Sequence, residues 1–190
     1  MLTALLLAMA LGAGATPSAH LTRGVRMDSL PQFPSVEGSN LEGRRFSLPA
    51  DFETEYSIVF VAFRREQQAD VDSWLPYLRG LGLDARGIGA YELPTLSRSY
   101  RWMRGFIDGG MARGIPDRRA RETTITLYIE KEPFRVALAI SNEDQITTML
   151  VARDGRVLWR VNGPFTPAAG EALAAALAGL TPAPDPRESE

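Results

Sequence analysis

The chain contains no cysteine, and its single histidine is His20. The absence of cysteine excludes disulfides, thiol peroxidase chemistry, thiol–disulfide exchange and thiolate metal sites. Because His20 lies in or beside a predicted targeting segment, we expect the mature domain to lack imidazole as well. Serine–histidine catalysis and histidine-based zinc sites are then excluded. Carboxylate, arginine, hydroxyl and backbone groups remain, and we predict no catalytic residue, no metal and no cofactor.

Lysine is nearly absent too: every basic residue except Lys131 is arginine. The net charge of -2 is close to zero, so nothing global favours nucleic acid as a partner, and we predict none. Hydrophobic residues make up 45% of the chain and charged residues 23%, which is typical of a soluble globular protein. A length of 190 residues suits one domain with a full hydrophobic core.

The N-terminus has the features of a secretory signal peptide. An apolar stretch from Leu2 to Leu11 is too short to span a bilayer comfortably, and Ala13-Gly14-Ala15 follows it as an A-x-A-like cleavage pattern. We therefore predict export to a periplasmic or other extracytoplasmic location, with membrane association if the segment stays uncleaved. The predicted organisation is a signal peptide or short anchor at 1–20, a linker at 21–30, a folded domain at 31–180 and a disordered tail at 181–190.

A predicted central strand organises the folded domain. The run 56–63 is apolar and rich in β-branched and aromatic residues, as expected of a strand covered on both faces. A polar turn follows, and then Val71, Trp74 and Leu78 recur at helical spacing. The remaining predicted elements are a hairpin within 31–49, a strand at 83–90, a helix capped by Thr95, a strand at 122–130, a short helix at 132–139, a hairpin across Asp154-Gly155 and a helix capped by Thr166.

Apolar residues at spacings of four, three, four and four give the helix after Thr95 one predicted buried face: Leu96, Tyr100, Met103, Ile107 and Met111. Trp102 lies on the outward half of this helix, and two interpretations of it are open. Trp102 packs under a neighbouring loop, as isolated surface apolar residues often do. Alternatively, it is an exposed contact residue ringed by arginines.

Arginine is concentrated in the segment that begins with this helix. Between Ser97 and Arg121, seven arginines face only Asp108 and Asp117, and several glycines predict that the helix frays into a flexible basic loop. A solvated basic face explains such a run, and so does a site for an anion, a phospholipid headgroup or a protein partner. The candidate binding residues are Arg98, Arg101, Trp102, Arg104, Arg113, Arg118 and Arg119.

The order of these elements resembles the thioredoxin-like fold in its peroxiredoxin-type elaboration, a central mixed sheet flanked by helices with an N-terminal hairpin. A narrower resemblance is to the family of the mitochondrial factor that assembles the membrane sector of the F-type ATP synthase, with this chain as a bacterial, cysteine-free relative. The motifs that carry it are Phe63-Arg64 leading to Asp72-Ser73-Trp74-Leu75, then Gly110-Met111-Ala112-Arg113-Gly114-Ile115-Pro116-Asp117, and Asp154-Gly155-Arg156-Val157-Leu158-Trp159 followed by Gly163. This resemblance implies a chaperone-like binder of a membrane subunit.

The resemblance also implies where a redox site would lie. Redox-active relatives place a C-x-x-C pair at the end of the central strand and the first turn of the next helix, and Arg65 and Gln68 occupy those positions here. They place a cis-proline before the first strand of the final hairpin, where this chain has Ile146. Without proline a cis peptide costs about 2.5–4 kcal/mol, so we expect a trans bond at this degenerate redox site.

Three functional hypotheses follow. The leading hypothesis is a non-redox binding module that acts as a chaperone or assembly factor for a membrane or exported protein. The alternative is an anion- or headgroup-binding protein that uses the arginine-rich segment. A second candidate surface comprises Arg64, Arg65 and Gln68, which are also explained as solvated residues at a helix start. An enzyme of unknown type is the third hypothesis, with carboxylates at Asp70 and Asp72 or at Glu143 and Asp144.

Overall fold

The apolar run predicted as the central strand forms β3, Tyr56–Ala62, in a computed structural model that describes residues 30–180. Its side chains alternate between two cores, because successive residues of a strand point to opposite faces. Val59 and Val61 belong to one core, while Ile58 and Phe60 belong to the other. The prediction of a strand covered on both faces is therefore confirmed.

Seven strands form one mixed sheet in the order β2-β1-β5-β4-β3-β6-β7. The strands are β1 Val36–Asn40, β2 Arg45–Leu48, β3, β4 Ile88–Ser97, β5 Ile125–Ile129, β6 Thr147–Ala152 and β7 Val157–Asn162. β3, β4 and β5 are parallel to one another, whereas β1–β2, β1–β5, β3–β6 and β6–β7 are antiparallel pairs. The predicted N-terminal hairpin and the mixed sheet are confirmed.

Helices cover both faces of the sheet. The α-helices are α1 Gln68–Leu81, α2 Arg104–Gly114, α3 Arg118–Thr123, α4 Lys131–Ala137 and α5 Pro167–Ala178, and 3₁₀ helices occupy Arg65–Gln67, Asp84–Arg86 and Arg98–Met103. The first core lies beneath α4 and the N-terminal segment, with Phe33, Phe52 and Phe134 in edge-to-face contact. The second core lies beneath α1 and α5. Among residues 30–180, no helix is long and apolar enough to cross a membrane.

Trp74 is the centre of the second core. Its side chain is fully buried, and its ring centroid lies 5.3 Å from that of Phe165 and 6.1 Å from that of Trp159. The indole Nε1–H is directed at the Gly163 carbonyl oxygen at 3.4 Å. Trp74 thus links α1 to β7 and to the segment that leads into α5.

Local turn and cap signals were reliable at the C-terminal end of the domain. The β6–β7 hairpin turns at Gly155, whose φ of 90° is a conformation that glycine adopts readily. Thr166 caps α5 by accepting a hydrogen bond from the Ala169 N–H at 3.2 Å, and Pro167 is the first helical residue. These predictions, and that of the short helix α4, are confirmed. The predicted signal peptide, linker and tail lie outside the described residues, apart from residue 30 of the linker.

Two predictions between β3 and β5 were wrong. The strand predicted at 83–90 is β4, which begins at Ile88 and runs to Ser97. A 3₁₀ turn closed by Gly87 at φ 64° occupies the residues before it. Thr95 is not a helix cap, because it lies inside β4, buried and paired with Leu127. The cap is Ser97, whose Oγ accepts a hydrogen bond from the Ser99 N–H at 3.3 Å.

The arginine-rich segment is helical, and the prediction of a frayed loop was wrong. The chain continues from the 3₁₀ helix Arg98–Met103 through α2 and, after three residues, into α3. The predicted buried face is only partly buried: Met103, Ile107 and Met111 are half-buried, Tyr100 is exposed, and neither the 3₁₀ helix nor α2 contains a fully buried residue. Helical spacing was present, but the part of the sheet beneath it does not provide an apolar core.

A pair of tryptophan variants tests this distribution of packing. Trp74→Ala should lower the free energy of unfolding by about 3–5 kcal/mol, because it removes a fully buried aromatic side chain and leaves a cavity. Trp102→Ala is the matched control and should change it by less than about 0.5 kcal/mol. Urea denaturation followed by circular dichroism measures both values. Similar losses in the two variants would contradict the structure.

Candidate functional site

Three aromatic side chains are exposed in the segment that leads into α2. Trp102 is 83% exposed, Phe106 74% and Tyr100 50%. Tyr100 and Trp102 belong to the 3₁₀ helix, and Phe106 lies one turn of helix beyond Trp102. We call these three residues the aromatic patch. The interpretation that Trp102 packs under a loop was wrong, whereas the alternative, an exposed tryptophan among arginines, agrees with its exposure.

The arginines predicted for the same surface fall into two groups. Within residues 30–180, Arg98, Arg101 and Arg113 are exposed and form neither a salt bridge nor a side-chain hydrogen bond. The other three are neutralised by carboxylates of the chain. Their partners are Asp108 for Arg104 (Nε to Oδ2, 3.4 Å), Glu122 for Arg118 (Nε to Oε1, 2.8 Å) and Asp84 for Arg119 (Nη2 to Oδ1, 2.6 Å). Only the first group therefore adds uncompensated positive charge beside the aromatic patch.

Polar contacts add to the partial burial of Met103, Ile107 and Met111 in holding α2 on the sheet. Arg104 donates from Nη2 to the Oγ of buried Ser39 at 2.6 Å, and the Tyr128 hydroxyl donates to Asp108 Oδ1 at 2.9 Å. Burial raises the pKa of Tyr128, and the hydrogen bond to Asp108 and the charge of that carboxylate raise it further. The Tyr128 hydroxyl thus remains a donor over the ordinary pH range, and Arg104 and Asp108 connect α2 to β1 and β5.

The sheet beneath α2 is polar because of how β5 alternates. Ile125 and Leu127 point into the first core, so Thr126 and Tyr128 point to the opposite face. Thr126 pairs with Ser39 across β5 and β1, and both residues are buried. The Thr126 Oγ1 atom has no hydrogen-bond partner among the described residues. Because this part of the sheet is polar, the aromatic side chain of α2, Phe106, lies on the solvent side of the helix.

The positions predicted as a degenerate redox site lie at the other candidate surface, near the end of β3. Arg65 is exposed in the 3₁₀ turn, Gln68 is the exposed first residue of α1, and Ile146 is buried immediately before β6. The peptide bond before Ile146 is trans, as expected, because the single cis bond among residues 30–180 is Leu48–Pro49.

Gln67, which sequence reasoning missed, closes this turn. It is only 5% exposed. Its Oε1 accepts hydrogen bonds from the N–H groups of Phe63 at 2.8 Å and Arg64 at 3.2 Å, and its Nε2 donates to the Glu143 carbonyl oxygen at 2.8 Å. A glutamine three residues after the N-cap is a capping-box position and was the available signal. A neutral amide therefore holds the strand–helix turn to the loop before β6.

Three of the four carboxylates considered for an enzyme are engaged in contacts with other side chains. Asp144 forms a salt bridge with Arg64 at 2.9 Å, and Glu143 forms one with Lys131 at 2.5 Å. Asp72 accepts a hydrogen bond from Gln68 Nε2 at 3.1 Å. Within residues 30–180, no group of three or more potential ligand side chains could hold a metal ion. A shallow open depression lies at the opposite end of β3, lined by Ala50, Glu55, Arg153 and Asp154.

Glu92 is a second residue that sequence reasoning missed. It alternates with Tyr91 and Leu93 of the first core, so its carboxylate lies on the α1 side of β4. Burial raises the pKa of this carboxyl, the hydrogen bond from Gln68 opposes the rise, and the negative charge of Asp72 adds to it. A lone glutamate in an otherwise apolar strand was the signal for this environment.

Solved structures resemble this chain across most of its length. BsSco, a member of the Sco family of cytochrome c oxidase assembly proteins, aligns with a TM-score of 0.54 at 15% identity over 80% of this chain and 96% of its own. Etrx1, an exposed lipoprotein thioredoxin of Streptococcus pneumoniae, gives 0.51 at 11% identity over 77% and 100%. A protein of Aquifex aeolicus VF5 with a suggested role in electron transfer gives 0.56 at 12% identity over 78% and 96%.

The chain has a thioredoxin-like fold. This agrees with the predicted fold class, and the likeness at these identities concerns the fold alone. No protein-family model matches the chain, and no curated protein matches it. None of these comparisons supports the narrower resemblance to the ATP synthase assembly-factor family.

Two adjacent glutamines test the role of the closed turn. Gln67→Ala should lower the free energy of unfolding by about 1–3 kcal/mol, because it removes a buried amide together with its hydrogen bonds to three backbone groups. Gln68→Ala removes only exposed side-chain hydrogen bonds, to Asp72 and Glu92, and should lower it by less than about 1 kcal/mol. Chemical denaturation compares the two variants directly. A larger loss in Gln68→Ala than in Gln67→Ala would contradict the assignment.

The pKa shift of Glu92 predicts a pH-dependent stability. The folded protein binds this proton more tightly than the unfolded chain, so the contribution is present at low pH and is lost as the pH rises from the unfolded value of 4.5 through the raised folded pKa. Glu92→Gln should remove this fall and stabilise the protein at neutral pH. Denaturation midpoints across a pH series measure it, with Glu66→Gln in the exposed turn as the control. An unchanged pH profile in Glu92→Gln would contradict the prediction.

Proposed function

We propose that this chain is a non-redox, thioredoxin-like binding module for a membrane or exported protein, acting as a chaperone or assembly factor. The observation that carries the proposal is the aromatic patch, Tyr100, Trp102 and Phe106, beside uncompensated arginines. Exposed tryptophan and arginine are the side chains most often responsible for binding energy in protein interfaces. Isolated surface apolar residues need no explanation, but three aromatic residues within seven positions favour an interaction surface.

The proposal excludes thiol chemistry as the function. The chain has no cysteine, and the positions corresponding to the redox pair are Arg65 and Gln68. Gln67 occupies the turn with a neutral amide that is already satisfied by hydrogen bonds. The carboxylates at Glu143 and Asp144 are held in salt bridges with Lys131 and Arg64, which supports a structural role for them in the proposed binding module.

An assembly role for a membrane complex is the finer form of the proposal. Sco proteins, to which BsSco belongs, are described as cytochrome c oxidase assembly proteins, and the motif resemblance suggests the membrane sector of an F-type ATP synthase as a target. A signal peptide or anchor at 1–20 would place the domain outside the cytoplasm, beside such complexes. The likeness to BsSco that supports this extension is one of fold.

A second candidate function is binding to anionic phospholipid headgroups. Arg98, Arg101 and Arg113 have no carboxylate partner among residues 30–180, and exposed tryptophan is enriched at membrane interfaces. Headgroup binding would be strongly salt-dependent and would need no protein partner. The same side chains therefore serve either function, and the experiment must separate the two.

Affinity capture from detergent-solubilised membranes of the source organism tests the proposal. The wild type should retain a specific protein that Trp102→Ala/Phe106→Ala loses at least about tenfold, because the variant removes the aromatic contacts while leaving the fold intact. Quantitative mass spectrometry identifies and measures the retained protein.

Matched controls make the capture specific to the aromatic patch. Val136→Ala on α4 removes another exposed apolar side chain, 68% exposed, and Arg79→Ala on α1 removes another exposed arginine. Neither should change retention. Equal retention by Trp102→Ala/Phe106→Ala and the wild type would reject the surface. Binding to anionic vesicles without any retained protein would reject the protein partner in favour of headgroups.

A further inference from the structure

We infer that the partner segment that binds the α2 surface is an amphipathic helix with acidic side chains flanking its apolar face. The inference deepens the proposed function and rests on it. Its three parts are the kind of secondary structure, the sign of the charge and the closeness of approach. Each part follows from a separate feature of α2.

The backbone of α2 favours a helical partner. An extended peptide binds well when it adds to the edge of a sheet, because main-chain hydrogen bonds supply much of its affinity. In the interior of α2, Arg104–Gly114, the backbone N–H and C=O groups are already used within the helix. An extended peptide lying across it would leave its own polar groups unpaired. A helix satisfies those groups internally and offers side chains alone.

The charge of the surface favours acidic flanks. Arg98, Arg101 and Arg113 are exposed and have no salt bridge among residues 30–180. Asp108, the acid within α2, is used by Arg104 and Tyr128. A partner that places apolar residues on Trp102 and Phe106 would therefore bring these arginines close to its own flanks. Carboxylates there form charge-assisted hydrogen bonds, whereas lysines would be repelled.

The glycines of α2 favour close approach. A side chain added at Gly105, Gly110 or Gly114 would meet no atom within 4 Å, so the fold does not need glycine at these positions. Glycine nevertheless destabilises a helix interior relative to alanine. Gly110 lies one turn beyond Phe106 on the exposed side of α2. A bare helix surface next to an aromatic side chain lets a second helix approach closely, as small residues do at helix–helix contacts.

Three synthetic peptides test the inference on the full chain. The first is an amphipathic helix of about 18 residues with leucines on one face and flanking glutamates, long enough to form a helix. The second has lysine in place of each glutamate, and the third keeps the glutamates but has two central prolines that break the helix. Tryptophan fluorescence titration measures the dissociation constants, with Trp102→Ala identifying the signal from the aromatic patch.

The acidic helix should bind at least about tenfold more tightly than either other peptide. Arg98→Gln/Arg101→Gln/Arg113→Gln should weaken it roughly tenfold, and Arg79→Gln should not. Equal binding of the proline peptide, or of the lysine peptide, would overturn the inference while leaving a protein-binding function intact. Binding to none of the peptides would also overturn it. A response to phosphatidylglycerol vesicles alone would overturn both this inference and the proposed protein partner.

A glycine variant separates this inference from a purely structural role of α2. Gly110→Leu should raise the denaturation midpoint, because it replaces glycine in open space with a good helix former. It should nevertheless weaken binding of the acidic peptide at least about fivefold, because the leucine side chain blocks close approach. Gly80→Leu in α1 is the matched control, since Gly80 is also helical and unobstructed. It should stabilise the protein without changing peptide binding. Unchanged binding in Gly110→Leu would overturn the close helix contact.

Discussion

Burial of β3 on both faces is the constraint on which the rest of this structure depends. A strand covered on both faces requires two cores, and its alternating side chains supply the centre of each. α1 and α5 cover one face, and α4 with the N-terminal segment covers the other. Once these elements are in place, the strands β4, β6 and β7 have fixed neighbours. The segment around α2 lies over β1 and β5, where the face of the sheet is polar.

That part of the sheet determines the character of α2. Ser39 and Tyr128 face α2, so it is held by hydrogen bonds and by the Arg104–Asp108 pair, with only half-buried apolar side chains beneath it. Removing apolar surface from water is the main favourable term in folding, and α2 contributes little to it. Its aromatic side chains are therefore available outside the domain, which is the property that an interaction surface needs.

Prediction from the sequence succeeded where the signal was local or strongly periodic. The run that forms β3, the turn at Gly155 and the cap at Thr166 each specify their own conformation. It failed where a tertiary partner decides. Thr95 had the chemistry of a helix cap, but pairing with Leu127 kept it in a strand. The spacing around Tyr100 predicted a buried face, and Met103, Ile107 and Met111 on it are only half-buried. No pattern within the segment could reveal that the opposing sheet is polar.

Tertiary contacts also determine the turn at the predicted degenerate redox site. A strand–helix turn that carries a reactive thiolate needs an exposed sulfur near the helix N-terminus, where the positive end of the dipole stabilises its charge. Here Gln67 turns inward and bonds to two N–H groups of its own turn and to the Glu143 carbonyl oxygen. A neutral, buried amide carries no charge for the helix dipole to stabilise. Its hydrogen bonds instead connect the end of β3 to the loop before β6. In this chain the turn therefore serves as a structural connection between β3, α1 and the loop before β6.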